Sequence, residues 1–220
     1  SKAAKESVEE ALLTRELAQK ILSTGNRLQA KLQKAVGQFI CGISIELRAA
    51  EDRASRSWRE ENGVIYFFVT SDGRTGNSWI NYLESKGYRV GDYAKQVLRS
   101  PDFKPTEGVT TEIAVLKGTL FADDDRITKN IRVEAAKRRL KTPNAEVACL
   151  IRLKFMDEEI EAMGLWWIVA MHEPIKDSDG NPYLLRASRY DHGRWLDAYC
   201  ALPVYGWDRD DGFAFAVSPQ

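Results

Sequence analysis

The sequence predicts an α+β fold, and three observations carry that reading. Segments with helical apolar spacing and segments rich in β-branched and aromatic residues both occur. They do not alternate strand, helix, strand, as a doubly wound parallel sheet would require. With 220 residues, 44% of them hydrophobic and 29% charged, the chain is long enough to bury a substantial core.

Residues 2–36 read as helix, with Val8, Leu12, Leu17, Ile21, Leu28, Leu32 and Val36 near helical spacing. The polar run Ser23, Thr24, Gly25, Asn26 divides it into two helices or weakens one. Two roles stay open for it, packing on its own domain or oligomerisation, and the lack of a strict heptad favours the first. "FICGISIEL" (39–47) and "VIYFFVTSDG" (64–73) read as strands, with 48–62 joining them as helix or loop and Asp72–Gly73 as a turn. A helix follows in "TGNSWINYLESKGYRV", stopped by Gly87, and another in "DYAKQVLRS", ended by Pro101. "TTEIAVLKGTLF" (110–121) is a strand. "DRITKNIRVEAAKRRL" (125–140) is a helix with a basic C-terminal end. Asn144 and Asp157 are placed to cap the helices "AEVACLIRLKF" and "EEIEAMG". "LWWIVAMHEPI" is a buried strand, "KDSDGNP" a polar turn, and the remainder an irregular aromatic tail with a short final strand "GFAFAV". The implied organisation is a helical segment, 1–37, and one domain, 38–220.

Charge and cysteine content narrow the function classes. Thirty-two basic residues balance thirty-two acidic ones, so nothing favours electrostatic capture of nucleic acid or an anionic membrane. Cys41, Cys149 and Cys200 are too far apart, and odd in number, for a disulfide framework or a metal ladder. No apolar run approaches the roughly 18 residues of a membrane span. These features point to a cytoplasmic protein, or to one whose N-terminal signal has been removed.

Catalytic motifs are weak. His172 and Glu173 stand side by side, but a zinc-protease helix needs a second His four residues on, and position 176 is Lys. Cys200 and His192 could imitate a thiol and its base without any orienting pattern. Asp123, Asp124 and Asp125 lack the Gly and distal Glu of a calcium loop and read as a solvated cap. No cofactor, metal site or catalytic residue is therefore assigned. A metal-assisted hydrolase on His172 and Glu173 stands as the rival reading.

The tail is unusual in a countable way. Residues 1–180 hold 39 Glu, Lys, Gln and Met, a rate that would put about eight in 181–219, yet that segment has none. It keeps five Asp and four Arg, so it avoids particular amino acids rather than charge. Random replacement of the adenines in an A-A-pyrimidine codon yields Asn, Asp, His, Tyr, Ser, Gly, Arg, Cys, Ile, Val, Leu, Phe, Thr, Ala or Pro. Apart from Trp195 and Trp207, every residue from 181 to 219 belongs to that set.

With Gly193-Arg194-Trp195 and the ending Gly212-Phe213-Ala214-Phe215, the tail resembles the variable region of diversity-generating retroelement target proteins. Those proteins are similar in fold to C-type lectins. In that family an error-prone reverse transcriptase rewrites Asn codons near the C-terminus. His192 and Arg194 stand where the family has Gly and Ser. The resemblance covers about the last 55 residues, with "GLWWIVAM" as a lectin core strand. It implies a C-type-lectin-like domain with an N-terminal helical extension, and a variable region at about 181–217. It implies a ligand-binding surface at Ser188, Tyr190, Asp191, Asp197, Tyr199, Cys200, Val204, Tyr205, Asp208, Asp210 and Asp211. These residues are expected to lie exposed on one face, pinned by Trp195, Leu196, Trp207, Phe213 and Phe215. The expected partner is a macromolecule, most naturally a protein, since Tyr with small polar residues is paratope chemistry. Glu173-Pro174-Ile175 stands where sugar-binding lectins carry a Glu-Pro-Asn element, and Ile cannot ligate calcium.

Overall fold

The computed structural model describes the backbone of residues 2–190 and 192–218, and the side chains of 10–44, 56–190 and 192–218. Asp191 lies outside the described residues. The chain divides into two units, one ending at Arg56 and one beginning at Ser57.

The first unit is a single helix, α1 (Lys2–Ser55). The expected strand over 39–47 is instead part of this helix, and so the division falls well beyond 37/38. Ile40 and Ile43, which looked like strand residues, are also spaced to share a helical face. The polar run at 23–26 does not interrupt α1. The hydroxyls of Ser23 and Thr24 each donate to the Lys20 carbonyl at 2.9 Å, which satisfies them within the helix.

The second unit is mixed α+β. Its strands are β1 (Arg59–Glu61), β2 (Val64–Asp72), β3 (Arg89–Val90), β4 (Glu107–Lys117), β5 (Trp167–Ala170), β6 (Ile175–Lys176), β7 (Pro182–Tyr190), β8 (Gly193–Cys200) and β9 (Asp211–Ala216). Its helices are α2 (Gly76–Ser85), α3 (Asp92–Arg99), α4 (Thr128–Lys137), α5 (Val147–Lys154) and α6 (Asp157–Ala162). Local signals set several boundaries. Thr75 caps α2 by accepting from the Ser78 N–H at 3.3 Å, and Gly87, at φ 78°, reverses the chain after it.

Among the described residues nine strands form one sheet in the order β1-β2-β4-β9-β5-β7-β8-β3, with β6 beside β7. The pairs β5–β9 and β3–β8 are parallel and the rest antiparallel. The last strand therefore lies mid-sheet, between β4 and β5. The tail is not irregular, as its composition suggested. Most of it is the antiparallel hairpin β7–β8, with Ala187 opposite Leu196 and Leu185 opposite Ala198.

Each sheet face has its own core. Ile65, Phe67, Ile113, Val115, Ile168, Leu185, Ala187, Leu196, Ala198 and Ala214 pack with the apolar residues of α2, α3, α5 and α6. On the other face Leu116, Val169, Met171, Leu184, Phe213 and Phe215 pack with Ile131 and Ala135 of α4 and with Trp207. This second core covers only part of its face, and what lies beyond it is the candidate site.

Candidate functional site

Strand alternation builds the site. In β7, Leu185 and Ala187 turn toward the helices, so Arg186, Ser188 and Tyr190 turn the other way. In β8, Leu196 and Ala198 do the former, and Trp195, Asp197 and Tyr199 the latter. Register aligns these residues into rows across the sheet. One row is Trp195 (β8), Ser188 (β7), Trp167 (β5) and Asp211 (β9). The next is Asp197, Arg186, Val169 and Phe213. The second row thus passes from an ion pair into the apolar core under α4.

Arg186 is the centre of this surface. It is only 2% exposed, with its guanidinium carbon 3.8 Å from the Trp167 ring centroid and 4.4 Å from that of Tyr199. Its Nη2 donates to the Tyr190 hydroxyl at 2.9 Å and to Asp197 Oδ2 at 3.3 Å. Its Nε and Nη1 find no hydrogen-bond partner among the described residues. The two ring faces offset part of the cost of burying that charge. Tyr190 in turn touches Trp167 and Trp195, at centroid distances of 6.2 and 6.1 Å.

The loop 201–210 closes one side. Trp207 is buried, its Nε1 donating to Thr128 Oγ1 at 2.9 Å and its ring 5.8 Å from Phe213. Tyr205 stands edge-on to both Trp207 and Tyr199, at 4.9 and 5.2 Å. The loop also presses on Gly118, where a Cβ would come within 2.6 Å of the Arg209 carbonyl oxygen. Thus pinned, it leaves Leu202, Val204, Asp208, Arg209 and Asp210 exposed.

Two acid groups are perturbed here by burial. The Asp211 carboxyl is pushed up to about 7 by burial, with the charges of Asp208 and Asp210 adding to the effect, although its Oδ2 accepts from the Asp208 N–H at 2.9 Å. The Tyr205 hydroxyl is raised by burial and by its hydrogen bond with Tyr199.

The chain matches no family profile, no curated protein and no solved structure.

Of the residues singled out from sequence, Tyr190, Asp197, Tyr199 and Tyr205 come together on this face, half-buried to exposed. Val204, Asp208 and Asp210 are exposed on the adjoining loop. Three differ from expectation. Ser188 and Asp211 lie in the same row but are buried, because each small side chain sits beside an indole, Trp167 for both and Trp195 also for Ser188. Cys200 follows the alternation of Leu196 and Ala198 and pairs with Tyr183, which packs against the helix-side core. Asp191 lies outside the described residues. Trp207, Leu196, Phe213 and Phe215 are buried as expected of anchors, whereas Trp195 is half-buried on the outward face. Arg186 and Trp167 were missed. The signal that could have found Arg186 is the two-residue period it shares with Ser188 and Tyr190.

The residues of the rival reading lie elsewhere. His172 is buried, its Nδ1 bonded to the Glu173 carbonyl at 2.6 Å while its Nε2 accepts from the Leu185 N–H at 2.9 Å. Burial lowers its pKa to about 4. Both ring nitrogens are engaged in holding backbone, which leaves neither for a metal or a substrate proton. Among the described residues no three His, Cys, Asp or Glu side chains gather as a metal site, and no helix is long and apolar enough to cross a membrane.

Proposed function

We propose that residues 57–220 form a C-type-lectin-like binding domain whose tail supplies a diversified recognition surface for a protein partner, without metal. The observation that carries this is the division of labour along β7 and β8. Residues reachable from a mutagenised Asn codon include both polar and apolar types, yet Leu, Ala, Leu and Ala occupy the helix-side positions 185, 187, 196 and 198, and Arg, Tyr, Asp and Tyr the outward positions 186, 190, 197 and 199. A diversified scaffold needs that separation, because changes on the outward face then leave the core intact. The chemistry of the outward face supports the same reading. Tyr offers large contact area at small entropic cost, and Asp offers adaptable polar contact. The mid-sheet position of β9 would hold that strand firmly while the loop before it varies.

The test is a pair of displayed libraries. In the first, the codons for Tyr190, Asp197, Tyr199, Val204, Tyr205, Asp208 and Asp210 are replaced by adenine-randomised A-A-pyrimidine codons. In the second, those for Leu185, Ala187, Leu196 and Ala198 are treated likewise. Most members of the first library are expected to fold, and panning against hen egg lysozyme in the presence of EDTA is expected to yield binders. The second should lose the fold. Equal loss of folding in both, or binders only when calcium is supplied, would overturn the proposal.

A further inference from the structure

Helix α1 carries a repeat that the heptad pattern does not describe. Leu17, Leu28 and Phe39 are spaced by eleven residues, and so are Ile21, Leu32 and Ile43, and again Gly25 and Val36. Every side chain described from 10 to 44 is exposed, and Phe39 reaches 70%. An eleven-residue repeat has about 3.67 residues per turn, close to the natural helical period, so its stripe runs almost straight along the helix with a slight right-handed drift. At 100° per residue, Arg27 and Lys34 fall on the far side, while Lys20 and Lys31 flank the stripe about a quarter turn from its midline. The positions bordering the stripe, Ala18, Thr24, Gln29 and Ala35, are uncharged.

We propose that this stripe is an interface between copies of the chain, formed by α1 packing side by side with α1 of a second copy. Three features select a second copy over an unrelated partner. Every layer from Leu17 to Ile43 is apolar or glycine, so each stripe is complementary to itself, as a symmetric interface requires. Between Leu17 and Ile43 no charged side chain lies in the stripe or at its immediate borders, so two identical helices bury no like charges together, and the uncharged borders offer nothing to select a partner of opposite charge. The size is also sufficient. The stripe is about 40 Å long, and a third of the girth of a helix about 12 Å across gives roughly 500 Å² per copy. The pair then buries roughly 1,000 Å², the lower bound of a specific interface. This inference does not rest on the recognition reading. If both hold, assembly presents several tail faces together, which raises avidity without any new contact.

The experiment is sedimentation equilibrium of the full chain over a concentration series, in reducing buffer so that exposed Cys41 cannot crosslink copies. A mass of at least twice the 24.9 kDa of one chain is expected. Leu28→Glu with Leu32→Glu should raise the dissociation constant by at least about a hundredfold, because a carboxylate in an apolar seam finds no partner. Arg27→Glu with Lys34→Glu, on the far side, should leave assembly within about threefold of the unsubstituted chain. The six Trp, all within 57–220, report that the second unit stays folded in every variant. A chain monomeric at every soluble concentration, or an assembly indifferent to the Leu28 and Leu32 substitutions, would overturn the proposal.

Discussion

The hairpin β7–β8 presents two faces with opposite chemistry. Leu185, Ala187, Leu196 and Ala198 lie against α3 and α5 in an apolar core, while Arg186, Tyr190, Trp195, Asp197 and Tyr199 form a surface of aromatic rings around one buried cation. The two sets come from the same stretch of chain, separated only by the two-residue period of a strand. One face is packed against helices, and the other, apart from the buried Arg186 and Ser188, is half-buried to exposed. The substitutions below sharpen that contrast or break it.

The largest losses belong to the packed sides. Phe213→Ala should cost about 3–5 kcal/mol and Leu196→Ala about 2–5 kcal/mol in denaturant unfolding, since both empty fully buried sites. Trp195→Ala, which empties a half-buried outward site, should cost clearly less than Phe213→Ala. Equal costs would mean that the outward face is core after all. Arg186→Ala comes next, at about 1.5–3 kcal/mol, because it removes charge-assisted bonds to Tyr190 and Asp197.

Asp211 and His172 give the contrast a pH signature. The Asp211 carboxyl is raised by burial from 3.8 to about 7, so the fold favours its protonated form. Its contribution is full below pH 3.8 and is lost as pH rises toward 7. Burial lowers His172 from 6.5 to about 4, so its contribution is full above pH 6.5 and is lost as pH falls toward 4. Each slope is at most about 1.4 kcal/mol per pH unit. Between the two limits they oppose each other and flatten the unsubstituted profile. Asp211→Asn should remove the opposing slope, leaving stability rising from pH 4 to 6.5, and should stabilise the protein above pH 7. A variant whose unfolding midpoint tracks the unsubstituted protein at every pH would contradict the burial of Asp211.

The smallest effects belong to the exposed residues. Val204→Ala should stay within about 0.5 kcal/mol in thermal unfolding, and Tyr199→Ala should cost on the order of 1 kcal/mol through its contact with Arg186. A much larger loss at Val204 would show that the loop is structural.

The sequence made some of this legible. β2, α2 and β4 were readable because local signals marked them: the β-rich runs of 64–72 and 110–117 and the Gly87 stop. The strand expected over 39–47 was misread because Phe39, Cys41, Ile43, Ile45 and Leu47 recur every two residues as in a strand, whereas the three-residue step from Ile40 to Ile43 fits a helix, and only the continuing helix decides between them. The hairpin was misread as irregular because Ala187 and Ala198 are weak apolar markers while aromatic residues stand on the outward side. That hid the two-residue period and, with it, Arg186. The position of β9 between β4 and β5 is non-local and has no signature in the tail itself. The tail was more accessible, since amino-acid choice alone singled it out. Which of its residues face outward depended on strand phase, and that is why Cys200, Ser188 and Asp211 were misassigned.

The central claim is that the outward face varies while the packed face is preserved, and the DNA flanking the gene tests it most directly. The account predicts a near-copy of the segment encoding about 181–217 that differs from the gene only where the copy carries adenine. Its differences should fall in the codons of Tyr190, Asp197, Tyr199, Val204, Tyr205, Asp208 and Asp210 and spare those of Leu185, Ala187, Leu196, Ala198 and Phe213. Flanking DNA without such a copy, or a copy whose differences fall equally on bases other than adenine or on the packed residues, would contradict it.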